Sequence, residues 1–228
     1  MELKRLFDCI DYQLSKFPKD RHVGRKKNGT WLSYSTEKVQ ETVNALSAGL
    51  IKKGCSGNDM TIDGADKIAI ISHNCPEWVF TDMAVQQTGA ILVPIYPTTN
   101  PIELEFILKD SAAKMIFVSN KELLEKVLNV SDRLPTLQSI YTFDEIEGVE
   151  NWKSLLANEP GLLQKVSAIK ATISPKQVAT IIYTSGTTGV PKGVMLSHEN
   201  IYTNVQFSKE SFPFPDAPAL EGFKLFTA

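Results

Sequence analysis

Residues 183–193 form the stretch of the sequence whose residue types best fit chemistry with a bound ligand. The stretch reads YTSGTTGVPKG and places one lysine, Lys192, close to three glycines. Gly186 and Gly189 let successive backbone amides turn toward one point, which is how a chain surrounds an anion. The small side chains that can donate hydrogen bonds to phosphate oxygens are Thr184, Ser185, Thr187 and Thr188. These features predict a loop that holds a group with several negative oxygens.

The loop differs from the widespread phosphate-binding pattern G-x-x-x-x-G-K-[ST]. Pro191 replaces the glycine before the lysine, and Gly193 replaces the Ser or Thr after it. That pattern also leads directly into a helix, whereas the residues from Lys192 onward read KGVMLS and are typical of a short strand. We therefore expect a loop suspended between two strands, able to close over a nucleotide, with the next helix only after Ser197.

An alternation of apolar strands and amphipathic helices positions this loop. The strands are expected at Ile68–Ser72, Ala90–Tyr96, Lys114–Val118, Ser139–Phe143 and Val178–Thr184. Strands that are apolar throughout, with helices between them, predict an α/β fold with a mainly parallel sheet flanked by helices. Ligands of such sheets bind beyond the carboxyl ends of the strands, and the loop begins at one such end.

Helix boundaries follow from capping residues. Asn74 is expected to cap a helix that has Pro76 at its first position and continues to about Thr88. Asn100 and Pro101 start the next helix in the same way. A further helix is expected at Glu122–Leu128.

The first 66 residues are expected to form a helix, a hairpin and a second helix. Asn28-Gly29 suits a two-residue turn, and the basic run Arg25–Lys27 beside it is expected to be a solvated edge. Ser35 or Thr36 caps the second helix, and Gly54 ends it. The apolar stripe of the first helix consists of Leu3, Leu6, Phe7, Ile10 and Leu14. We divide the rest into an α/β core, residues 67–177, and a phosphate-binding loop region, residues 178–228.

Composition narrows the class of protein. The 228 residues are 43% hydrophobic and 22% charged, with a net charge of −2, as in an ordinary globular protein. That charge gives no attraction to nucleic acid or to an anionic membrane, so no nucleic-acid partner is expected. Cys9, Cys55 and Cys75 lie far apart without metal-ligand spacing, which favours a reducing compartment. With no signal peptide and no long apolar run, we expect a cytoplasmic location.

Isolated residues with chemical potential are expected to have structural roles. His73 and His198 stand beside helix starts, where ring nitrogens commonly meet backbone groups. Cys75 stands at a helix N-terminus, which can lower a thiol pKa, but no base lies nearby in the sequence. The aromatic residues Trp78, Phe80 and Tyr96 are interpreted as core.

Residues 183–193 resemble the phosphate-binding signature of the adenylate-forming superfamily, which includes acyl-CoA synthetases, luciferases and peptide-synthetase adenylation domains. Residues 68–118 resemble the corresponding block of bacterial long-chain acyl-CoA synthetases, especially at Asn74, Pro76-Glu77-Trp78 and Pro94–Thr98. The resemblance runs from about Ser33 to Phe214. It is highly specific in the loop and less so in the earlier block.

The resemblance implies a long-chain fatty acid–CoA ligase, in which ATP converts a fatty acid to acyl-AMP and coenzyme A accepts the acyl group. Fatty acid, ATP and coenzyme A are then the substrates. Thr184 is also implied as a contact of Mg²⁺. The residues implied to bind the nucleotide are Thr184, Ser185, Gly186, Thr187, Thr188, Gly189 and Lys192.

The resemblance also implies that the chain is an N-terminal portion. The family's magnesium-binding glutamate, ribose-binding aspartate and catalytic lysine lie downstream of the loop, so we expect no catalytic residue and no C-terminal domain here. No histidine follows His198, and the tail APALEGFKLFTA departs from the family pattern. We therefore expect a truncated chain that is inactive alone.

Two alternatives stay open at this stage. The chain could belong to another acyl- or aryl-CoA ligase branch, or it could be a non-catalytic nucleotide-binding or interaction module. The residues do not specify the acyl chain, the oligomeric state or peripheral contact with a membrane.

Overall fold

The structure is a computed structural model that describes residues 3–27, 29–184 and 190–211, with side chains described as far as residue 208. Its strands are β1 (Val23–Lys27), β2 (Thr30–Tyr34), β3 (Lys67–Ile71), β4 (Ile91–Ile95), β5 (Met115–Val118), β6 (Ser139–Thr142), β7 (Val178–Thr184) and β8 (Lys192–Ser197). Its helices are α1 (Asp8–Lys16), α2 (Thr36–Lys52), α3 (Pro76–Gln87), α4 (Pro101–Asp110), α5 (Lys121–Ser131), α6 (Pro160–Thr172) and α7 (His198–Ser211). A 3-10 turn spans Trp152–Leu155.

The central sheet has the strand order β6-β5-β3-β4-β7-β8. Strands β3 to β7 pair in parallel, and β8 alone among the described strands of this sheet runs antiparallel, beside β7. The predicted α/β fold with a mainly parallel sheet is confirmed, as are the five predicted strands to within one residue at each end.

The sheet is covered on both faces, as its apolar strands require. In β3, Ile68 and Ile70 point into a core shared with α2, α3 and the 3-10 turn. The alternate residues Ala69 and Ile71 point into a second core shared with α4 and α5. Helix α6 packs outside α2 on the first face.

Side-chain caps set three of the helix starts. Ser35 accepts a hydrogen bond from the backbone of Lys38, and Asn100 accepts one from Glu103, which confirms both predicted caps. Asn120 caps α5 in the same way.

The predicted cap at Asn74 is wrong. The N-cap of α3 is Cys75, which makes no side-chain capping bond. Pro76 does occupy the first helical position, and a residue before proline is held in an extended conformation. Cys75 has this conformation, with φ −159° and ψ 161°, so the boundary lies one residue later than the sequence indicated.

The hairpin of β1 and β2 is confirmed, with Lys27 paired to Thr30 and a φ of 81° at Gly29. Asn28, predicted in the same turn, lies outside the described residues. The expectation of a solvated basic edge holds for Lys26 and Lys27, which are exposed. It is wrong for Arg25, which is half-buried and forms an ion pair of 3.3 Å with the buried Glu77 of α3.

In the part of the chain that the structure describes, every helix is too short or too polar to cross a membrane. Cys9, Cys55 and Cys75 are free thiols, and the latter two are buried.

Candidate phosphate-binding site

The predicted loop is framed by an antiparallel pair of strands at one end of the sheet. Strand β7 runs beside β4 to its carboxyl end, and β8 returns along the outer side of β7. Thr184 of β7 and Lys192 of β8 form the last pair of this antiparallel ladder, next to the loop. The prediction of a strand after the loop is confirmed, and so is the start of the next helix, α7, at His198.

The structure therefore brings together two of the seven predicted site residues, Thr184 and Lys192. Paired residues in an antiparallel ladder project from the same face, with Cβ atoms about 4.5–5.5 Å apart. Both side chains are exposed, so a hydroxyl and an ammonium group are available side by side at the carboxyl edge. The other five predicted site residues lie outside the described residues. They are Ser185, Gly186, Thr187, Thr188 and Gly189.

A groove of about 400 Å³ lies at this edge of the sheet and is lined by Thr184 and by Pro191, the residue before Lys192. Its volume is within the range of ligand pockets, roughly 300–1,000 Å³. Residues at the carboxyl ends of β4 and β7 form one part of its wall, among them Tyr183 and Thr184. The polar residues Thr98, Thr99 and Glu103 form another part. The groove lies beyond the carboxyl ends of parallel strands, where α/β proteins bind their ligands.

Tyr96 belongs to this groove, which corrects its interpretation as a core residue. Its side chain is 69% exposed and lines the groove. The chain leaves the sheet at this point, because β4 ends at Ile95 and Pro97 follows. Lys126 of α5 donates a hydrogen bond of 2.8 Å to the carbonyl of Pro97 and holds the wall in place. The signal in the sequence was the position of Tyr96 at the end of a strand.

The comparison with known families decides what kind of protein carries this site. A family model described as AMP-binding enzyme matches residues 10–220. The chain belongs to the AMP-binding enzyme family. This confirms the superfamily that the loop signature indicated.

The names of two relatives are consistent with this family. The long-chain-fatty-acid–CoA ligase ACSBG1 of Bos taurus is 30% identical over 206 residues, covering 87% of this chain and 27% of that protein. The long-chain-fatty-acid–CoA ligase ACSBG2 of Xenopus laevis is 31% identical over 185 residues, covering 78% and 24%. This AMP-binding chain thus spans about a quarter of the length of the curated relatives that it matches.

A solved structure supports the fold. It is a protein of Rhodopseudomonas palustris CGA009 with the provisional name long-chain-fatty-acid CoA ligase. It superposes with a TM-score of 0.75 at 22% identity, covering 93% of this AMP-binding chain and 49% of that protein.

A second and larger groove, of about 480 Å³, lies between α2 and α6. Its lining includes Lys38, Glu41 and Leu163. It contains none of the predicted site residues and no residue of a β-strand. The smaller groove is therefore the candidate ligand site of this AMP-binding chain, because it includes Thr184 at the carboxyl end of β7.

His198 has the structural role that the sequence indicated. It is buried, and its Nδ1 atom accepts a hydrogen bond of 3.3 Å from the backbone N–H of Leu6. Its ring packs edge-on against Phe7 at 5.4 Å. Burial, aided by the charge of Arg5, lowers the pKa of His198 to about 4. A neutral imidazole thus joins the N-terminal segment to the start of α7.

This environment predicts a loss of stability in acid. His198 gains a proton in the unfolded chain near its ordinary pKa of 6.5 but in the folded chain only near a pKa of about 4. Between these values the unfolded state binds more protons, so the free energy of unfolding falls as the pH falls. We expect His198 to lower it by about 2 kcal/mol between pH 7.5 and pH 5. Urea unfolding at the two pH values measures the difference.

The exposed His73 provides the matched control. His198→Asn should show a smaller acid-induced loss than the wild-type chain, and His73→Asn should show the wild-type loss. Equal losses in all three proteins would contradict the assigned role of His198.

Cys75 is also structural. Burial raises the pKa of its thiol to about 11, although it stands at the N-terminus of α3. Desolvation of the thiolate therefore outweighs the favourable helix dipole. Phe80 is fully buried and confirms its interpretation as core, whereas Trp78 is only half-buried at the margin of the same core.

Proposed function

We propose that this chain is the phosphate-binding part of a long-chain fatty acid–CoA ligase. Such an enzyme activates a fatty acid with ATP to acyl-AMP and transfers the acyl group to coenzyme A. The observation that carries the proposal is the pairing of Thr184 with Lys192 at the carboxyl edge of the sheet, beside the groove. Membership of the AMP-binding family supports the nucleotide, and the names of the relatives support the fatty acid.

The chemistry explains why a phosphate site is needed. A carboxylate resists nucleophilic attack because it is already negative and would have to expel oxide. Attack of the carboxylate on the α-phosphate of ATP releases pyrophosphate and forms a mixed anhydride, whose carbonyl the thiol of coenzyme A can attack. In-line displacement at phosphorus depends on positioning and on neutralising the charge of the leaving group.

We assign the phosphate contacts to the loop and its base. Lys192 supplies a positive charge to the β- and γ-phosphates, and Thr184 supplies a hydroxyl donor. Ser185, Gly186, Thr187, Thr188 and Gly189 are proposed to add hydroxyl groups and backbone amides around the same oxygens.

The groove also has the donor set that Mg²⁺ prefers. Mg²⁺ binds oxygen ligands, usually one or two protein groups together with water and substrate phosphates. Thr184 and Glu103 both line the groove and carry such oxygens, so these two residues fit the ion. When bound, the ion would neutralise charge on the phosphates.

We propose three parts of the chain. Residues 1–66 supply the N-terminal helix, hairpin and second helix, residues 67–177 the α/β core, and residues 178–228 the phosphate-binding region. A cytoplasmic location fits the three free thiols.

Isotope exchange between pyrophosphate and ATP, measured with the full-length gene product, tests the proposed function. We expect exchange that requires hexadecanoate and is much weaker with benzoate. A preference for benzoate would favour an aryl-CoA ligase, and absence of exchange with every acid would contradict the proposal. A polypeptide of the 228 residues alone is expected to give no acyl-CoA, because it spans only about a quarter of its relatives.

A further inference from the structure

Tyr183 connects the base of the loop to a helix on the second face of the sheet. It is the residue of β7 immediately before Thr184, and its ring lies in the core shared with α4 and α5. Its hydroxyl donates a hydrogen bond of 2.6 Å to Oδ2 of Asp110, the last residue of α4. Burial and the Asp110 carboxylate raise the pKa of Tyr183, so the hydroxyl stays a donor at neutral pH.

Gly193 gives the Tyr183 ring its space. The two residues are paired across β7 and β8. A Cβ atom at Gly193 would lie 3.2 Å from Cζ of Tyr183 and 2.9 Å from Cγ2 of Ile181. Both distances are shorter than an ordinary carbon–carbon contact. The ring therefore lies across β8 as well as β7, and it holds both strands of the hairpin against α4.

The position of Asp110 is not explained by helix stability. A negative charge in the last turn of a helix is unfavourable, because the carbonyl end of the helix dipole is also negative. The hydrogen bond from Tyr183 offsets this cost. The neighbouring Lys109 makes its ion pair with Glu105 at 2.6 Å.

We propose that Tyr183 and Asp110 are positioning residues for the phosphate site. Their hydrogen bond, with the ring of Tyr183 over Gly193, fixes the next pair in the register, Thr184 and Lys192. The side chains of that pair project from the opposite face of the hairpin. Tyr183 also lines the groove, so its ring forms part of the wall as well as positioning the neighbouring pair. The inference rests on the proposed function and adds two residues to its site.

Hydrogen exchange tests the hydrogen bond between Tyr183 and Asp110, which we call the anchor, without any ligand. In the 228-residue chain, Tyr183→Phe and Asp110→Asn should each speed amide exchange in β7 and β8 by roughly threefold to tenfold, as expected for one lost hydrogen bond. The double variant should add little to either single change. Tyr141→Phe, in β6 at the far edge of the sheet, and Asp132→Asn, at the end of α5, are the matched controls. Unchanged exchange in Tyr183→Phe would overturn the anchor.

Kinetics of the full-length gene product test the effect on the nucleotide. Tyr183→Phe should raise KM for ATP by roughly fivefold, as expected for one lost hydrogen bond, and leave KM for the fatty acid unchanged. General damage to the fold would instead lower the active fraction and leave both KM values alone. An unchanged KM for ATP would overturn the positioning role. Absence of pyrophosphate exchange in the wild-type protein would overturn both the proposed function and this positioning role. Hydrogen exchange would still show whether the bond between Tyr183 and Asp110 holds β7 and β8 in place.

Discussion

Lys192→Ala is expected to weaken the interaction of the full-length gene product with ATP by about 1.5–3 kcal/mol, the cost of losing charge-assisted hydrogen bonds. This corresponds to a fall in the apparent second-order rate constant for pyrophosphate exchange of about tenfold to 150-fold. Lys192 is exposed at the end of the β7–β8 ladder, so its removal leaves the cores intact. Steady-state exchange at varied ATP concentrations measures the effect.

Lys176 offers a matched control on the same hairpin. It is an exposed lysine just before β7, at the amino end of the strand. Lys176→Ala should exchange pyrophosphate at the wild-type rate, because its ammonium group lies at the opposite end of the sheet from the groove. Equal rates for the two variants would remove Lys192 from the phosphate site.

Phe80→Ala is expected to lower the free energy of unfolding by about 3–5 kcal/mol, the usual cost of truncating a buried phenylalanine to alanine. Phe80 is fully buried on the inner side of α3. Its ring packs edge-on against Tyr34 at 5.1 Å and at a tilt of 36° against Trp152 at 6.0 Å. The substitution therefore opens a cavity where the hairpin, α3 and the 3-10 turn meet. Urea unfolding followed by circular dichroism measures the loss.

The same substitution on the surface provides the control. Phe207 of α7 is 63% exposed, and Phe207→Ala should change the free energy of unfolding by about 0.5 kcal/mol or less. A loss below about 1 kcal/mol in Phe80→Ala would show that the first core is less tightly packed than its burial indicates.

Local patterns predicted most of the fold. The strands of the sheet are continuous apolar runs, and residues such as Ser35, Asn100 and Pro101 fix helix starts through interactions within one turn. The same reasoning placed Thr184 and Lys192 at facing ends of two strands, because a connection this short joins antiparallel strands, whereas parallel strands need a longer crossover. Most predictions that depend on neighbours in sequence were therefore accurate, and the cap at Asn74 is the exception.

Contacts between distant parts of the chain were not predictable in this way. Tyr183 and Asp110 are 73 positions apart, and nothing local shows that a tyrosine in an apolar strand meets the end of α4. The pairing of Arg25 with Glu77 also depends on how the hairpin docks on α3. Helix α6 was missed because its apolar residues give little periodic signal, and only Val166 of this helix is buried.

Titration of isotope-labelled chain with MgATP, followed by the backbone amide signals in NMR spectra, tests the central claim most directly. The largest shifts are expected at Thr184, Lys192 and Gly193 and at groove residues such as Tyr96. Lys192→Ala should reduce these shifts at the same ATP concentration. Shifts centred on the groove between α2 and α6, or no shifts at saturating MgATP, would contradict the assignment of the phosphate site.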